Sequence, residues 1–477
     1  MVRRALLVVD QLPYAELRRN VPSTLGSAWS EAKPLCLDYV PRTTPPGHAT
    51  ISTGQCPANH RVQGREWYEE REGRWHKRSI EQVWPGTDGG WPYELREYFH
   101  ARSLAATTRR REPKANIVVV GAKSFIPFLF GAWHADLSVF PLEVKPRQLG
   151  YPLWRPGLRL AVHAGTPKGA AQVTDLLPRV KRRLTTFLAM FADGSRVAGP
   201  VPREIRWNLP NRQSTWRYDF HWGFPSDWRL SPESHLASFL NEHAADIDAF
   251  YSEIGLRALG MLTPESTDLY VQSWFSTDWL GHRYGYSSQY QSSLENALRH
   301  AGQLRKRGFG VAVCSDHGGR SVVRTLPWRC SRNCEGMAQD GSVFSFPSVD
   351  PGTVPLRSGD HLVGYSRTNG PRVLTFVCGR GLVDVEVPDH VVTNSIVPGR
   401  SPAWMLLPAD DERYGEAQST PTLSVGSPCG TDHGATVEDG ALSAKDNEVP
   451  LLWLGTSTAA TPTRLHEVLD WFLELRS

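Results

Sequence analysis

A chain of 477 residues with 40% hydrophobic and 21% charged side chains can bury a large core unaided, which excludes a disordered polymer and a small disulfide-built scaffold. The length allows one large α/β domain with insertions, or two to three ordinary domains. The 53 basic and 49 acidic residues leave a net charge of only +4, and the basic runs, such as Arg109-Arg110-Arg111, are no longer than three residues, so charge makes no case for a nucleic-acid polymer as partner.

Arg3 and Arg4 precede an apolar run, Ala5 to Val9, that ends at Asp10. The run is too short for a secretory signal and reads as a buried strand. No stretch of about 20 apolar residues predicts a membrane span. Thr43-Thr44-Pro45-Pro46 opens a short helix, since a proline costs nothing in a first turn. Asn116 to Gly121 and Asp268 to Phe275 are further strand-like runs. Helical periodicity covers Gln289 to Lys306, and Phe309 to Cys314 is a fourth strand, ending at Ser315-Asp316. Val449 to Leu454 reads as a strand and His466 to Leu475 as a closing amphipathic helix.

Strands alternating with helices predict an α/β sandwich, a mostly parallel central sheet between helices. Two stretches break the rhythm: 146–245, rich in Trp, Arg and Pro, and 321–428, rich in Gly, Pro and Ser. Both are expected to be inserted cap regions, leaving 1–145, 246–320 and 429–477 as the three parts of one catalytic core. The seven cysteines are odd in number and scattered, and no second pair completes a zinc site with Cys330 and Cys334. They read as reduced thiols, which predicts a cytoplasmic protein.

The acidic residues and histidines fall in a pattern. Asp10 ends the first strand; Asp278 and His282 follow another, within STDWLGHRYG; Asp316 and His317 follow a third, within CSDHGG; His433 sits in GTDHG before the last strand. Ligands of open parallel sheets gather at the carboxyl ends of the strands. Carboxylates and imidazoles in this mixture suit two divalent metal ions, with zinc the expected one. Two ions ~4 Å apart clamp the attacking and leaving oxygens of a displacement at phosphorus. Each piece alone has a bland reading: a DHG is usually a turn, and an Asp after a strand is as readily a helix cap. The joint pattern is specific. Thr44 stands at a helix start, where the dipole and free backbone N–H groups favour a phosphate and an alkoxide; alone, it would read as a simple cap.

These residues resemble the type I phosphodiesterase/nucleotide pyrophosphatase branch of the alkaline phosphatase superfamily. The likeness is carried by Val9-Asp10, Thr44-Pro45-Pro46-Gly47-His48, Thr53-Gly54, Pro57-Ala58-Asn59-His60, Thr277 to Gly285, Ser315 to Gly319 and Gly430 to Gly434. It covers roughly 1–135, 265–320 and 428–477. The resemblance implies that Asp10, Thr44, Asp316 and His317 hold one metal, and that Asp278, His282 and His433 hold the other. It implies a phospho-threonine intermediate on Thr44 and leaves His48 as a supporting residue.

Two departures bear on substrate. Arg65 stands where the family commonly has an Asn that touches a phosphoryl oxygen. A guanidinium there favours a more highly charged group. Lys123-Ser124-Phe125 stands where monoester-cleaving relatives often carry Lys-x-Arg, so Lys123 is a candidate substrate contact without the companion arginine. The expected activity is hydrolysis of a phosphodiester, pyrophosphate or related small phosphorus ester. A phosphomonoesterase or phosphonate hydrolase with the same site is the alternative, and a silent binding protein is disfavoured because nucleophile and ligands are all present. Sulfatases need Cys or Ser as nucleophile, and membrane phosphoethanolamine transferases carry spanning helices.

Overall fold

In a computed structural model the described residues are 3–19, 31–71, 74–79, 101–121, 123, 125–139, 143–145, 157–164, 203–207, 215–223, 232–261, 268–322, 324–328, 335–337, 343–345, 354–358, 361–365, 375–378, 383–397, 400–401, 404–409, 412–416, 431–433, 435–443 and 447–476. Cys330 and Cys334, weighed above as a zinc pair, lie outside them.

The main sheet is built from β1 (Arg3–Val9), β2 (Lys33–Cys36), β3 (Asn116–Val120), β4 (Leu137–Val139), β5 (Glu143–Lys145), β6 (Gly157–Ala164), β7 (Arg203–Trp207), β8 (Thr215–Gly223), β9 (Asp268–Trp274), β10 (Gly310–Cys314) and β11 (Glu448–Leu454). Their order is β2-β11-β10-β1-β9-β3-β4-β6-β8-β7, with β5 beside β6. The centre, from β10 to β4, is parallel throughout. Antiparallel strands extend it on both sides. The α/β sandwich predicted from the sequence is therefore present, with its parallel strands in the middle. The described parts of 146–245 continue the sheet edge through β6, β7 and β8.

The helices that matter here are α1 (Thr44–Thr53), α2 (Pro232–Met261), α3 (Ser276–Tyr284), α4 (Ser288–Lys306) and α5 (Val468–Glu474). Successive strand residues face opposite sides, so β1 feeds two cores. Leu6 and Val8 pack with Ala49 and Ile51 of α1 and with Val468 and Phe472 of α5. Ala5, Leu7 and Val9 pack with Ile247 and Tyr251 of α2 and with Leu294, Ala297 and Ala301 of α4. This double burial is why β1 is an unbroken apolar run rather than an alternating one. Each such Leu or Val contributes about 1.5–3 kcal/mol when fully buried.

Local chemistry sets the helix ends. The Ser287 hydroxyl accepts from the Tyr290 N–H, so α4 starts one residue before the expected Gln289. The closing helix differs more: Leu465–Glu467 forms a tight 3₁₀ turn before α5 begins. The Glu467 carboxylate turns back to accept from the N–H groups of Thr463 (2.8 Å) and Arg464 (3.1 Å), and this tightens the first turn. No helix among the described residues is long and apolar enough to cross a membrane.

Register places the parallel strands' ends together. Val9 pairs with Trp274, Val8 with Cys314 and Val120 with Gln272. Asp10, the α3 segment, Ser315 to His317 and Lys123 thus leave the sheet at one edge.

Candidate active site

Asp10 follows β1 directly, and its carboxylate is fully buried. The Thr277 hydroxyl donates to the Asp10 carbonyl at 2.6 Å, tying the start of α3 to the end of β1. Asp248, on α2, caps α3 by accepting from the Ser276 N–H at 2.8 Å. Burial pushes the Asp248 carboxyl up to about 7, against its backbone hydrogen bonds. Asp278 and His282 then lie one turn apart on α3, with His282 Nε2 3.1 Å from Asp278 Oδ1.

α1 brings Thr44 to the same edge. Its first turn carries Pro45 and Pro46, so only Thr44 and Gly47 keep an N–H there, and that of Gly47 donates to the Thr43 carbonyl at 3.1 Å. The helix lends its dipole but not the row of free amides expected from the sequence; that expectation overlooked the two missing donors. Gly47 is needed for a close approach: a Cβ on it would lie 2.2 Å from the Asp316 carbonyl oxygen. The bare glycine lets the turn after β10 rest on the helix.

The side chains converge on Thr44. Its Oγ1 lies 3.3 Å from Asp10 Oδ1, 3.2 Å from His317 Nε2 and 3.0 Å from Lys123 Nζ. His317 Nε2 is 3.0 Å from Asp10 Oδ1 and 3.5 Å from Asp316 Oδ2. Lys123 Nζ bridges Asp10 Oδ2 at 2.6 Å and Asp278 Oδ2 at 2.7 Å. His433 Nε2 is 3.9 Å from Asp278 Oδ1, and the His433 ring stands 4.7 Å from that of His282 and 4.8 Å from that of His317, centre to centre. Asp10, Thr44, Lys123, Asp278, His282, Asp316, His317 and His433 are thereby brought together. Arg65 differs from this group: it is exposed, just ahead of the Glu66–Arg71 strand.

Electrostatics follow from burial and mutual proximity. Burial alone favours neutral Asp316, but His317 and His48 outweigh it and hold the carboxyl below its usual range. Asp278 is held well below as well, with Lys123 and His282 overcoming its burial. Burial opposes charge on His317, yet Asp316 and Asp10 raise the imidazole above its ordinary value. The same balance, burial against Asp10 and Asp278, lifts Lys123 above an ordinary lysine.

The residues fit a divalent cation. Asp10 Oδ2, Asp278 Oδ1 and Asp316 Oδ2 are buried oxygens without a well-directed hydrogen bond, although cationic groups stand at ion-pair distance. Two groups have mutually close ligand atoms: Asp10, Asp316 and His317, and Asp278, His317 and His433. His282 Nδ1 faces the Thr431 carbonyl at 2.8 Å and His317 Nδ1 faces the Gly318 carbonyl at 2.7 Å. A carbonyl only accepts, so Nδ1 carries the proton in both rings and each Nε2 is turned toward the carboxylates.

Several supporting residues had no signal of their own in the sequence. His48 Nδ1 lies 2.9 Å from Asp316 Oδ2 and 3.0 Å from the Thr44 carbonyl, while its Nε2 meets Ser273 Oγ at 3.1 Å. Both Nδ1 neighbours are acceptors, so this nitrogen carries the proton: it donates to the Thr44 carbonyl and stands at ion-pair distance from the Asp316 carboxylate. The Ser315 hydroxyl donates to the His317 carbonyl at 2.8 Å and accepts from the Leu12 N–H at 2.9 Å. Their presence inside the recognised motifs was the only clue.

The parallel sheet edge gathers a helix-borne hydroxyl, three carboxylates and three imidazoles, and the family match below makes the chain a phosphoesterase-type hydrolase. The chain belongs to the type I phosphodiesterase / nucleotide pyrophosphatase family, whose model matches residues 5–329. Similar folds include the alkaline phosphatase PafA, at 15% identity and TM-score 0.55 over 99% of this chain and 96% of that one. The phosphonoacetate hydrolase of Sinorhizobium meliloti, solved with phosphonoacetate, is similar at 14% identity and TM-score 0.52 over 100% and 96%. A search of curated proteins found no significant match.

Proposed function

We propose that this chain hydrolyses a phosphodiester, pyrophosphate or related small phosphorus ester through a phospho-threonine intermediate on Thr44. The observation that carries this reading is the position of Thr44 Oγ1, within 3.0–3.3 Å of Lys123, His317 and Asp10 at a helix N-terminus. Asp10, Thr44, Asp316 and His317 would hold one divalent ion, and Asp278, His282 and His433 the other, with zinc suited to the donor set. The ions supply Lewis acidity that lowers the pKa of a hydroxyl or water and offsets charge on the transferring group.

The chain's own residues do the rest. Thr44 Oγ1 gives its proton to solvent and forms a bond to phosphorus as the bond to the leaving oxygen breaks, that oxygen taking a proton from solvent; water then displaces Thr44, one water proton restoring its hydroxyl and the hydroxyl oxygen going to phosphorus. Lys123 faces the non-bridging oxygens, and its ammonium stabilises charge there. His48 positions Asp316, and the Thr431 carbonyl orients His282. Arg65 is proposed as an outer contact to the substrate, 321–428 as a cap, and the cytoplasm as the location.

One observation favours the phosphomonoester or phosphonate alternative. A lysine ammonium 3.0 Å from the nucleophile is best matched by a phosphoryl group carrying more than one negative charge. Hydrolysis of a nitrophenyl monoester against a nitrophenyl nucleotide diester, with metal content measured on the same sample, decides between them. Preference for the diester supports the leading reading; preference for the monoester supports the alternative. No turnover of either ester with both metals bound points to a phosphonate or another specialised substrate, which release of phosphate from a phosphonate and from pyrophosphate then tests.

A further inference from the structure

A second group of metal-ligand side chains lies away from the active edge. Asp38 follows β2, Cys56 precedes the short helix Pro57–His60, and His466 sits in the 3₁₀ turn before α5. Their ligand atoms face one another: Cys56 Sγ is 3.5 Å from His466 Nδ1 and 3.8 Å from Asp38 Oδ1, and His466 Nδ1 is 3.4 Å from Asp38 Oδ1. α1 separates this group from Thr44. Thr44 opens that helix and Gly54 ends it, about 15 Å further on at 1.5 Å per residue.

We propose that Asp38, Cys56 and His466 form a third metal site, for a thiophilic divalent cation such as zinc, distinct from the catalytic pair. The edges of the triangle carry the argument. Bond lengths near 2.3 Å to sulfur and 2.0–2.2 Å to nitrogen and oxygen, at the tetrahedral angle, place ligand atoms roughly 3.3–3.6 Å apart. The three observed separations are 3.4, 3.5 and 3.8 Å. The same side chains are set up for it by their neighbours. Asn394 Nδ2 donates to Asp38 Oδ2 at 3.0 Å, and Arg464 stands 3.6 Å from that oxygen, which leaves Oδ1 turned to the thiol and imidazole. Asp38 and Cys56 are buried while the His466 side chain is 25% exposed, so the open fourth position faces solvent.

Thiol, imidazole and carboxylate together select zinc-like ions over magnesium or calcium. On binding, the Cys56 S–H bond breaks, its proton goes to solvent, and the thiolate donates to the ion. The ion would pin the segment before α5 to the far end of the helix that carries Thr44. Gly54 already permits that contact: at φ +67 a Cβ there would lie 3.3 Å from the His466 carbonyl oxygen.

Cobalt(II) loaded into the reduced full-length protein is the probe. None of the proposed catalytic ligands is a cysteine, so a near-ultraviolet thiolate-to-cobalt charge-transfer band reports this site independently of the active-site reading. The expected result is such a band in the native protein and in Cys36→Ser, lost in Cys56→Ser and at least halved in the partly exposed His466→Ala, with zinc displacing it. No band in the native protein, or a band that persists in Cys56→Ser, overturns the proposal. Should Cys56→Ser fail to fold, His466→Ala decides by the same criterion.

Discussion

Lys123 and Asp10 form an ion pair of 2.6 Å at the sheet edge where α1 brings in Thr44. The same ammonium reaches Asp278, so one cation ties together a carboxylate from each proposed ligand set. Removing the ammonium while keeping the ligands isolates its share in substrate binding. Lys123→Ala is expected to lower kcat/KM for a monoester by about 10²-fold, and for a diester by less. Equal losses on both substrates, or none, would remove Lys123 as a selector of phosphoryl charge.

Thr44→Ala deletes the atom on which the side chains converge. Turnover should fall by on the order of 10³-fold or more, since a missing nucleophile leaves only binding and electrostatics. The circular dichroism spectrum should be unchanged. A variant turning over within tenfold of the native chain would sink the phospho-threonine reading.

Asp316→Asn and His317→Ala test the ligand assignment. Each should reduce bound metal, measured by elemental analysis after gel filtration, and turnover should fall with it. Two tightly retained catalytic ions in either variant would refute the assignment. Chelation of the native protein should abolish turnover, and added zinc should restore it.

His60 predicts the acid behaviour of the fold. Its Nδ1 accepts from the Val62 N–H at 3.0 Å and its Nε2 faces the Thr50 hydroxyl at 3.1 Å, all buried. Burial brings the imidazole down to about 3, from an ordinary value of 6.5. Between those values the unfolded chain binds the extra proton and the folded chain does not. Stability is therefore full above pH 6.5 and is lost as pH falls toward 3, by on the order of a few kcal/mol. Urea melts from pH 7 to 4 should show the slope, and His60→Gln should flatten it; an unchanged slope would assign acid sensitivity elsewhere.

Much of the site was legible because a strand that ends at a carboxylate leaves a local trace. Asp10, Asp278, Asp316 and His317 each follow an apolar run, and His282 repeats Asp278 at one helical turn. The Thr431 carbonyl that orients His282 was not legible: it is a backbone atom 149 positions away, and backbone atoms have no letter in the sequence. The contact of Gly47 with Asp316 was hidden for the same reason, since only the folded approach of two segments makes the glycine necessary. β6, β7 and β8 were missed as sheet strands because their mixed Trp, Arg and polar composition obscures the period of two that marks a strand.

The two prolines in the first turn of α1 decide how the chain treats free oxyanions. Many phosphate cradles are woven from main-chain amides and grip sulfate or phosphate whatever else is bound. Here that weave is cut at Pro45 and Pro46, so retention of an oxyanion falls to Lys123 and to the proposed metal ions. Product inhibition by inorganic phosphate should then track metal loading, strong in the loaded enzyme and weak in the stripped one.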